Sequence, residues 1–545
     1  MRGLRPTERM LDTDRIPAWA PVLAGLLVFA VHDWTLQPWT LDDAYISFRY
    51  ADNLVAGHGV VFNAGERVEG YTNFLWLLLM AGGRALGFSP VVFSKLLGGV
   101  LDVLSLTLVG FAHRIVPGVS RRTAMFGALL LGTCGVFSKW SMSGMEVPLV
   151  GLLSTAAVLV HLRGRQRQDG AGLAVASGVL AGLAAMSRPD AGLVFGVLFL
   201  DRVARLLRGR GRTASLGAMV TAFGLVAGGW FLWRLSYYDQ LLPNTFYVKV
   251  GATGDQLVRG LVYLWQCVNV AWPLIVVPLA APFVAVEGGL SVVALLLLLH
   301  TLYVVAVGGD VFWGYRFYAA YLPLGALAAS SVIGHAPLRP GFRAAFAGLA
   351  VAINLWWMAT SAQLNTDAEV SQDGIEVGRW LAEHAPADAL LATNIAGSIP
   401  YASGLRTIDT LGLNDLHIAH RHVDTMGQGR PGHEKGDGAY VLSRAPDYVI
   451  FASSRGSMLP KFLGDQELYD DPAFHDQYDL HSYLIREGLR LLVWVRRADA
   501  GGKGLTATPI TVQVRPPRSL DPAGSALPPA GALPTPGTTE PSPTD

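Results

Sequence analysis

Long apolar stretches, many of them free of charge, recur through the first 360 residues and constrain this chain more than any other feature. They fall near 18–37, 91–112, 123–140, 145–161, 171–187, 191–201, 214–233, 271–286, 289–307, 317–333 and 344–360. The sixth is short but can extend through Val203 to Leu207. A helix rises about 1.5 Å per residue, so roughly 20 apolar residues match the hydrocarbon core of a bilayer. About eleven such runs predict a polytopic α-helical membrane protein. Charged residues make up only 15% of the chain, against about 25% in soluble domains. A net charge of +1 carries no sign of nucleic-acid binding. Cys134 and Cys267 sit in apolar surroundings, which suits neither a disulfide framework nor a zinc site.

Arginines give the runs a direction. They gather at Arg2, Arg5, Arg9 and Arg15; at Arg114, Arg121 and Arg122; at Arg163, Arg165 and Arg167; at Arg202, Arg205, Arg208, Arg210 and Arg212; and at Arg339 with Arg343. Basic residues accumulate in cytoplasmic loops. All five clusters share that side only if the apolar segment 71–87 does not cross the bilayer. It is therefore expected as a juxtamembrane helix on the outer surface. The expected protein sits in the cytoplasmic (inner) membrane, with its N-terminus cytoplasmic. Residues 1–17 form a tail, and 18–362 a transmembrane module whose first exported loop is 38–90. Residues 363–515 are expected as an extracytoplasmic α/β domain, with helical spacing at Ile375–His384 and short strands at Ala389–Thr393, Tyr448–Phe451 and Leu489–Val495. The Pro-rich segment 516–545 cannot bury enough surface to fold and is expected to be disordered.

Polar residues concentrate in the outward loops. Asp42 and Asp43 stand where a span ends and a helix begins. Acids beside a membrane are costly unless paired or functional, and a helix start would hold a carboxylate rigidly. The candidate role for one of the two is a general base for a hydroxyl arriving from the exported side. Farther along this loop, Glu69, Tyr71 and Asn73 are candidate sugar contacts. Glu146 leaves the third span on the same face and is a candidate second acid. Cations on the outer face run against the orientation bias, so Arg188, Arg234, Lys249 and Arg316 need another reason. Binding a lipid phosphate is one; pairing with Asp190 or Asp310 is the other.

Several signatures are missing. There is no phosphate-binding Gly-rich loop ending in Lys-Ser/Thr, no His-Glu-x-x-His and no Gly-x-Ser-x-Gly. An outward cavity with acids and cations suits a sugar carried on a polyprenyl phosphate. Such a donor needs a membrane groove for its tail and brings its own leaving group. Arg or Lys would stabilise the charge that develops on the phosphate. One base in line with the leaving group implies a single displacement with inversion. A metal is not required, although adjacent aspartates could hold a divalent ion. The rival readings are a transporter or flippase of lipid-linked glycans, and a non-catalytic membrane scaffold.

The stretches Asp42-Asp43-Ala44-Tyr45-Ile46-Ser47-Phe48-Arg49, Gly57-His58-Gly59 and Phe62-Asn63-Ala64-Gly65-Glu66-Arg67-Val68-Glu69-Gly70-Tyr71-Thr72 resemble the GT-C superfamily of membrane glycosyltransferases. The branch they resemble contains the mycobacterial terminal β-(1→2)-arabinofuranosyltransferase. Ser143-Gly144-Met145-Glu146, Arg188-Pro189-Asp190, Leu242-Pro243-Asn244-Thr245-Phe246-Tyr247-Val248-Lys249, Gly308-Gly309-Asp310, Ile408-Asp409-Thr410-Leu411-Gly412-Leu413-Asn414-Asp415 and Gly432-His433-Glu434-Lys435 extend the likeness over roughly 18–500. The resemblance implies a GT-C-like fold and an acidic base in the first exported loop, a part it assigns by preference to Asp42 over Asp43. It also implies a polyprenyl-phosphate sugar donor, arabinofuranose in that branch, and a glycan or glycolipid acceptor of the cell envelope. Candidate phosphate ligands are Arg49, Arg188, Lys249 and Arg316. Candidate sugar and acceptor contacts are Glu69, Tyr71, Asn73, Asn244, Asp310 and His433.

Overall fold

The structure is a computed structural model that describes residues 17, 19–36, 38–166, 170–312, 314–360 and 366–510. Arg2, Arg5, Arg9, Arg15 and Arg167, and the Pro-rich segment 516–545, lie outside the described residues.

Every apolar run coincides with helix. In lipid a backbone must satisfy its own polar groups, and a helix does so within one segment. Among the described residues five helices are long and apolar enough to cross a membrane: Pro90–Gly110, Val147–Gln166, Thr213–Tyr238, Glu287–Ala306 and Pro340–Thr360. A sixth span results if Gly254–Ile275 and Val277–Phe283, bent by 54°, count as one. The apolar helices Trp19–Thr35, Ala171–Ser187 and Leu322–His335 are shorter. The chain is a multi-pass membrane protein. The helix Phe74–Ala85 has 12 residues, about 18 Å of rise, too short to reach across a bilayer.

One run is corrected. The stretch 271–286 is not a straight span of its own. It is the end of a helix that starts at Gly254, loses helical geometry at Ala271 and carries Pro273. Proline removes a backbone donor and clashes with the preceding turn, so the chain bends here. The amphipathic first half, with Asp255, Arg259 and Gln266, hid this helix from an apolar-run reading.

Packing follows membrane rules. Gly25 and Gly132 let two helices meet backbone to backbone, since a Cβ on Gly132 would strike Gly25. Pro340–Thr360 leaves Phe342, Leu349 and Trp356 exposed. Such a face would be an aggregation hazard in water and is a lipid contact in a bilayer. Three basic connections converge at one end: Arg163 Nη1 donates to the Ile115 carbonyl (3.4 Å), and Arg205 Nη2 to the Arg165 carbonyl (3.0 Å).

Residues 366–510 open with the helix Thr366–His384 and build a mixed sheet. Its strands are β1 (Leu390–Thr393), β2 (Arg406–Asp409), β3 (Tyr448–Ile450), β4 (Tyr478–Arg486) and β5 (Leu489–Arg496), in the order β2-β1-β3-β5-β4. β1 runs parallel to β2 and β3, while β5 is antiparallel to β3 and β4.

Long-range hydrogen bonds weld this sheet domain to the loop that begins at Leu41. Arg49 Nε donates to the Phe62 carbonyl (2.8 Å) and Nη2 to the Leu405 carbonyl (2.8 Å), while Nη1 reaches the Pro400 carbonyl. Asn63 pairs with the Thr407 backbone in both directions, at 2.8 and 3.1 Å. Arg49→Ala would orphan buried carbonyls on both sides of the seam. Each hydrogen bond to a charged group contributes about 1.5–3 kcal/mol. The expected result is a loss of about 3 kcal/mol or more, read as a lower unfolding temperature in detergent; an unchanged midpoint would refute it.

Candidate active site

Asp42 and Asp43 open the helix Asp42–Val55, whose N-cap position is held by Leu41 with no side-chain cap. The two carboxylates have different partners. Asp42 accepts from the Gly397 and Ser398 backbone N–H groups (3.1 and 2.8 Å) and from the Ser398 hydroxyl. It thereby caps the helix Ser398–Ser403 of the sheet domain. A Cβ on Gly397 would collide with the Asp42 carbonyl, so only glycine allows this approach. Burial pushes the Asp42 carboxyl up to about 6, against the opposing pull of those hydrogen bonds. Asp43 instead leaves part of its side chain exposed and lies 3.6 Å from Arg316 Nη1.

A chain of ion pairs lines the same face. Glu146 takes a hydrogen bond from Asn73 Nδ2 (2.9 Å) on one oxygen and from Arg188 Nη1 (3.2 Å) on the other. Asn73 is held in turn by the Ser47 hydroxyl (3.1 Å). Arg188 also donates to Asp190 (3.0 Å), and Arg316 grips Asp310 through two nitrogens (2.9 and 3.2 Å). Lys249 differs: among the described residues its ammonium donates to no protein acceptor. Burial holds it below the usual lysine value, with the Asp43 charge opposing.

Two cavities meet at this face. The first, about 550 Å³, is walled by Asp43, Lys249, Tyr263, Asp310 and Phe312 from the helical module. Asn394, Leu411, Arg430 and His433 close it from the sheet domain. The second, about 560 Å³, is lined by Glu146, Arg188, Lys249 and Arg316 among apolar groups such as Leu193, Phe246, Val307 and Phe317. Asp43, Lys249 and Leu413 line both. Asp43 is thus the one acid common to the two spaces among the described residues. His433 edges the first cavity; its Nδ1 bonds the Pro431 carbonyl (3.0 Å), and burial lowers its pKa.

The structure brings together Asp43, Glu146, Arg188, Lys249, Arg316, Tyr71, Asn73, Asp310 and His433 from the sequence candidates. Four other candidates spend their polar groups within the protein. Asp42, the preferred base, edges the first cavity, but its oxygens are engaged by Gly397 and Ser398. Arg49 lines neither of these cavities, and its guanidinium is spent on main-chain carbonyls rather than turned toward a phosphate. Glu69 is buried against Arg234, which grips it through Nε (2.9 Å) and Nη2; that pair also explains Arg234 without a phosphate. Asn244 spends its amide on the Gly412, Leu413 and Asp415 carbonyls (2.8, 3.0 and 3.1 Å). Tyr71 reaches the second cavity, with its hydroxyl 3.0 Å from that of Tyr238.

Reading the sequence missed Tyr263, Gln266, Asn394 and Arg430, which line the first cavity. Tyr263 and Gln266 lie on the helix hidden ahead of residue 271. Arg430 comes from a loop pinned by Glu434, which accepts from the Gly427 and Gly429 N–H groups (2.7 and 2.9 Å) and from Arg259 (2.8 Å). No local signal marks that loop. Among the described residues no group of three or more His, Cys, Asp or Glu side chains is placed to hold a metal ion.

Residues 360–501 match a family described as a domain of unknown function (DUF8728). The chain is 31% identical over 261 residues to the terminal β-(1→2)-arabinofuranosyltransferase of Mycobacterium tuberculosis, covering 46% of this chain and 41% of that protein. It is 26% identical over 338 residues to the protein of the same name in Corynebacterium glutamicum, covering 54% and 48%. The chain therefore matches less than half the length of either relative. Among solved structures, ArnT from Cupriavidus metallidurans superposes in its apo state with a TM-score of 0.53 at 13% identity, covering 88% of this chain and 98% of that one. Its form bound to undecaprenyl phosphate gives 0.50 at 14% identity, covering 71% and 84%. The chain thus shares the fold of these ArnT structures.

Proposed function

We propose that this GT-C-folded membrane chain is an inverting glycosyltransferase, moving a sugar from a polyprenyl-phosphate donor to a cell-envelope glycan or glycolipid. The observation that carries the proposal is the position of Asp43, the acid shared by two cavities of different character. The second cavity offers an apolar lining with three cations and suits a lipid phosphate. The first, closed by the sheet domain, suits a polar acceptor. Asp43 takes the proton from an acceptor hydroxyl in the first cavity. The hydroxyl oxygen then attacks the anomeric carbon of the sugar held in the second. The bond to the phosphate breaks, and its electron pair stays on the phosphate oxygen. Lys249, Arg188 and Arg316 stabilise the added charge. One attack from the side opposite the leaving group inverts the anomeric carbon. Glu146, gripped by Asn73, holds Arg188 in place. No metal is needed for these steps.

The names of the relatives favour arabinofuranose as the sugar. The convergence of basic connections at one end favours about eleven crossings in the cytoplasmic membrane, with the sheet domain and both cavities on its outer face. Mass spectrometry of lipid copurifying with the full chain tests the donor. The expected species is a polyprenyl phosphate or its sugar adduct. Bulk phospholipid alone, together with no transfer from synthetic polyprenyl-phosphoryl arabinose, would reject the proposal.

A further inference from the structure

We infer that a third cavity, on the sheet-domain side of the acceptor wall, is a subsite that binds the stem of the acceptor glycan. This rests on the transferase reading only for where the glycan comes from. The groove measures about 630 Å³, within the range of small-ligand sites. Its platform is the short helix Leu416–His420, which points His417 and His420 to one side, three residues apart. Each imidazole is backed by a phenol. His417 stacks on Tyr440 with ring centres 4.1 Å apart at 16°, and His420 lies 4.2 Å from Tyr247. Each is also pinned by a hydrogen bond: His417 Nε2 lies 3.1 Å from Asp437, and His420 Nδ1 lies 2.9 Å from the Leu416 carbonyl. The His417 side chain still keeps 53% of its surface exposed. Two flat rings are thus held rigid from behind and open in front.

The surrounding chemistry selects among ligand classes. Arg444 donates to the Tyr440 hydroxyl and sits 4.0 Å from Glu66, while Tyr440 donates to Asp415. The cation is matched by acids, so the groove offers an anion no net attraction. Acids, amides and rings line it, which does not suit a lipid tail. A neutral sugar fits both features, presenting its C–H face to a flat ring and its hydroxyls to carboxylates and amides. The position fits as well. Leu411 and Leu413 line the acceptor cavity, and the next residues, Asn414 to Leu416, line the groove. Consecutive residues of one strip of backbone thus border both spaces, which puts the groove beside the acceptor cavity.

The test uses the full chain in detergent with linear arabinofuranose oligosaccharides of two and six residues. Binding is followed by saturation-transfer NMR and transfer by product mass. The His417→Ala/His420→Ala double variant is expected to bind the hexasaccharide about tenfold more weakly. Its KM for that acceptor should rise by the same factor, with kcat and disaccharide transfer unchanged. The His417→Phe/His420→Phe variant keeps the rings and should retain most of the binding. Equal hexasaccharide binding in wild type and the alanine variant would overturn the subsite while leaving the transferase reading intact. Absent transfer by wild type, with hexasaccharide binding that still depends on the two rings, would reject the transferase reading and keep the subsite.

Discussion

Asp43→Asn is expected to lower the rate of sugar transfer about 10³-fold while the protein still inserts and folds. The amide keeps the shape of the side chain and loses the ability to take a proton, and general-base catalysis contributes about 10²–10⁴-fold. Among the described residues the one ion pair of the Asp43 side chain is its approach to Arg316 at 3.6 Å, so stability should change little. Asp42→Asn supplies the contrast. An amide oxygen can still accept from the Ser398 N–H, so transfer should fall by less than about tenfold. The neighbour instead leaves a trace in the pH dependence of stability. The Asp42 carboxyl is raised from 3.8 to about 6 in the folded protein. Between those values the folded state holds a proton that the unfolded chain has released. Stability from this group is therefore full at low pH and is lost as pH rises through about 6. Asp42→Asn should flatten that slope in thermal unfolding. If Asp42→Asn abolishes transfer and Asp43→Asn does not, the assignment is reversed and the proposed mechanism fails.

Lys249→Met should cost about 10²–10³-fold in kcat, the scale measured when one donor to a developing charge is removed. The reason lies in what the three cations already touch. Arg188 is shared between Glu146 and Asp190, and Arg316 between Asp310 and Asp43. Their charge is largely spoken for before any substrate arrives. Lys249 lines both cavities and has no hydrogen-bonded acid among the described residues. It is the cation most available to a phosphate that gains charge as its bond to the sugar breaks. Because the interaction strengthens in the transition state, kcat should fall more than the apparent affinity for donor. A variant with kcat within threefold of wild type would remove Lys249 from the mechanism.

Parts of this site are legible in the amino-acid sequence because the membrane makes polar residues expensive. Asp43, Glu146, Arg188 and Arg316 stand near the ends of apolar runs and Lys249 in an outward loop, where a charge needs a reason. The same logic does not separate them from Arg49, Glu69 and Asn244. Those three are equally polar and equally close in sequence, yet their partners lie as far as 351 to 356 residues away for Arg49 and 165 for Glu69. No local pattern encodes a pairing over that distance. Asp42 and Asp43 illustrate the limit most sharply. They are adjacent and chemically identical, and successive helical positions point about 100° apart, so one meets the sheet domain and the other the cavities. Strands are readable where they are short and apolar, as at Tyr448–Ile450. β2 has four residues and carries Arg406 and Asp409, while β4 mixes Asp479, His481 and Ser482 with its apolar positions. Neither pattern announces a strand without its neighbours.

The seam between Asp42 and Gly397-Ser398 has a consequence for how such proteins diversify. A recombination that swapped the sheet domain for that of a relative would leave Asp42, Arg49 and Asn63 facing foreign backbone. Their own partners, at Ser398, Pro400, Leu405 and Thr407, would be gone. Asp43, the next residue after Asp42, would lose its footing along with them. The unit that can be exchanged is therefore discontinuous in the gene: the stretch from Asp42 to Asn63 and the sheet domain, together with Asn244 and Arg259, which also bond that domain. Acceptor preference should travel through evolution, and through any engineered chimera, only when these parts move together.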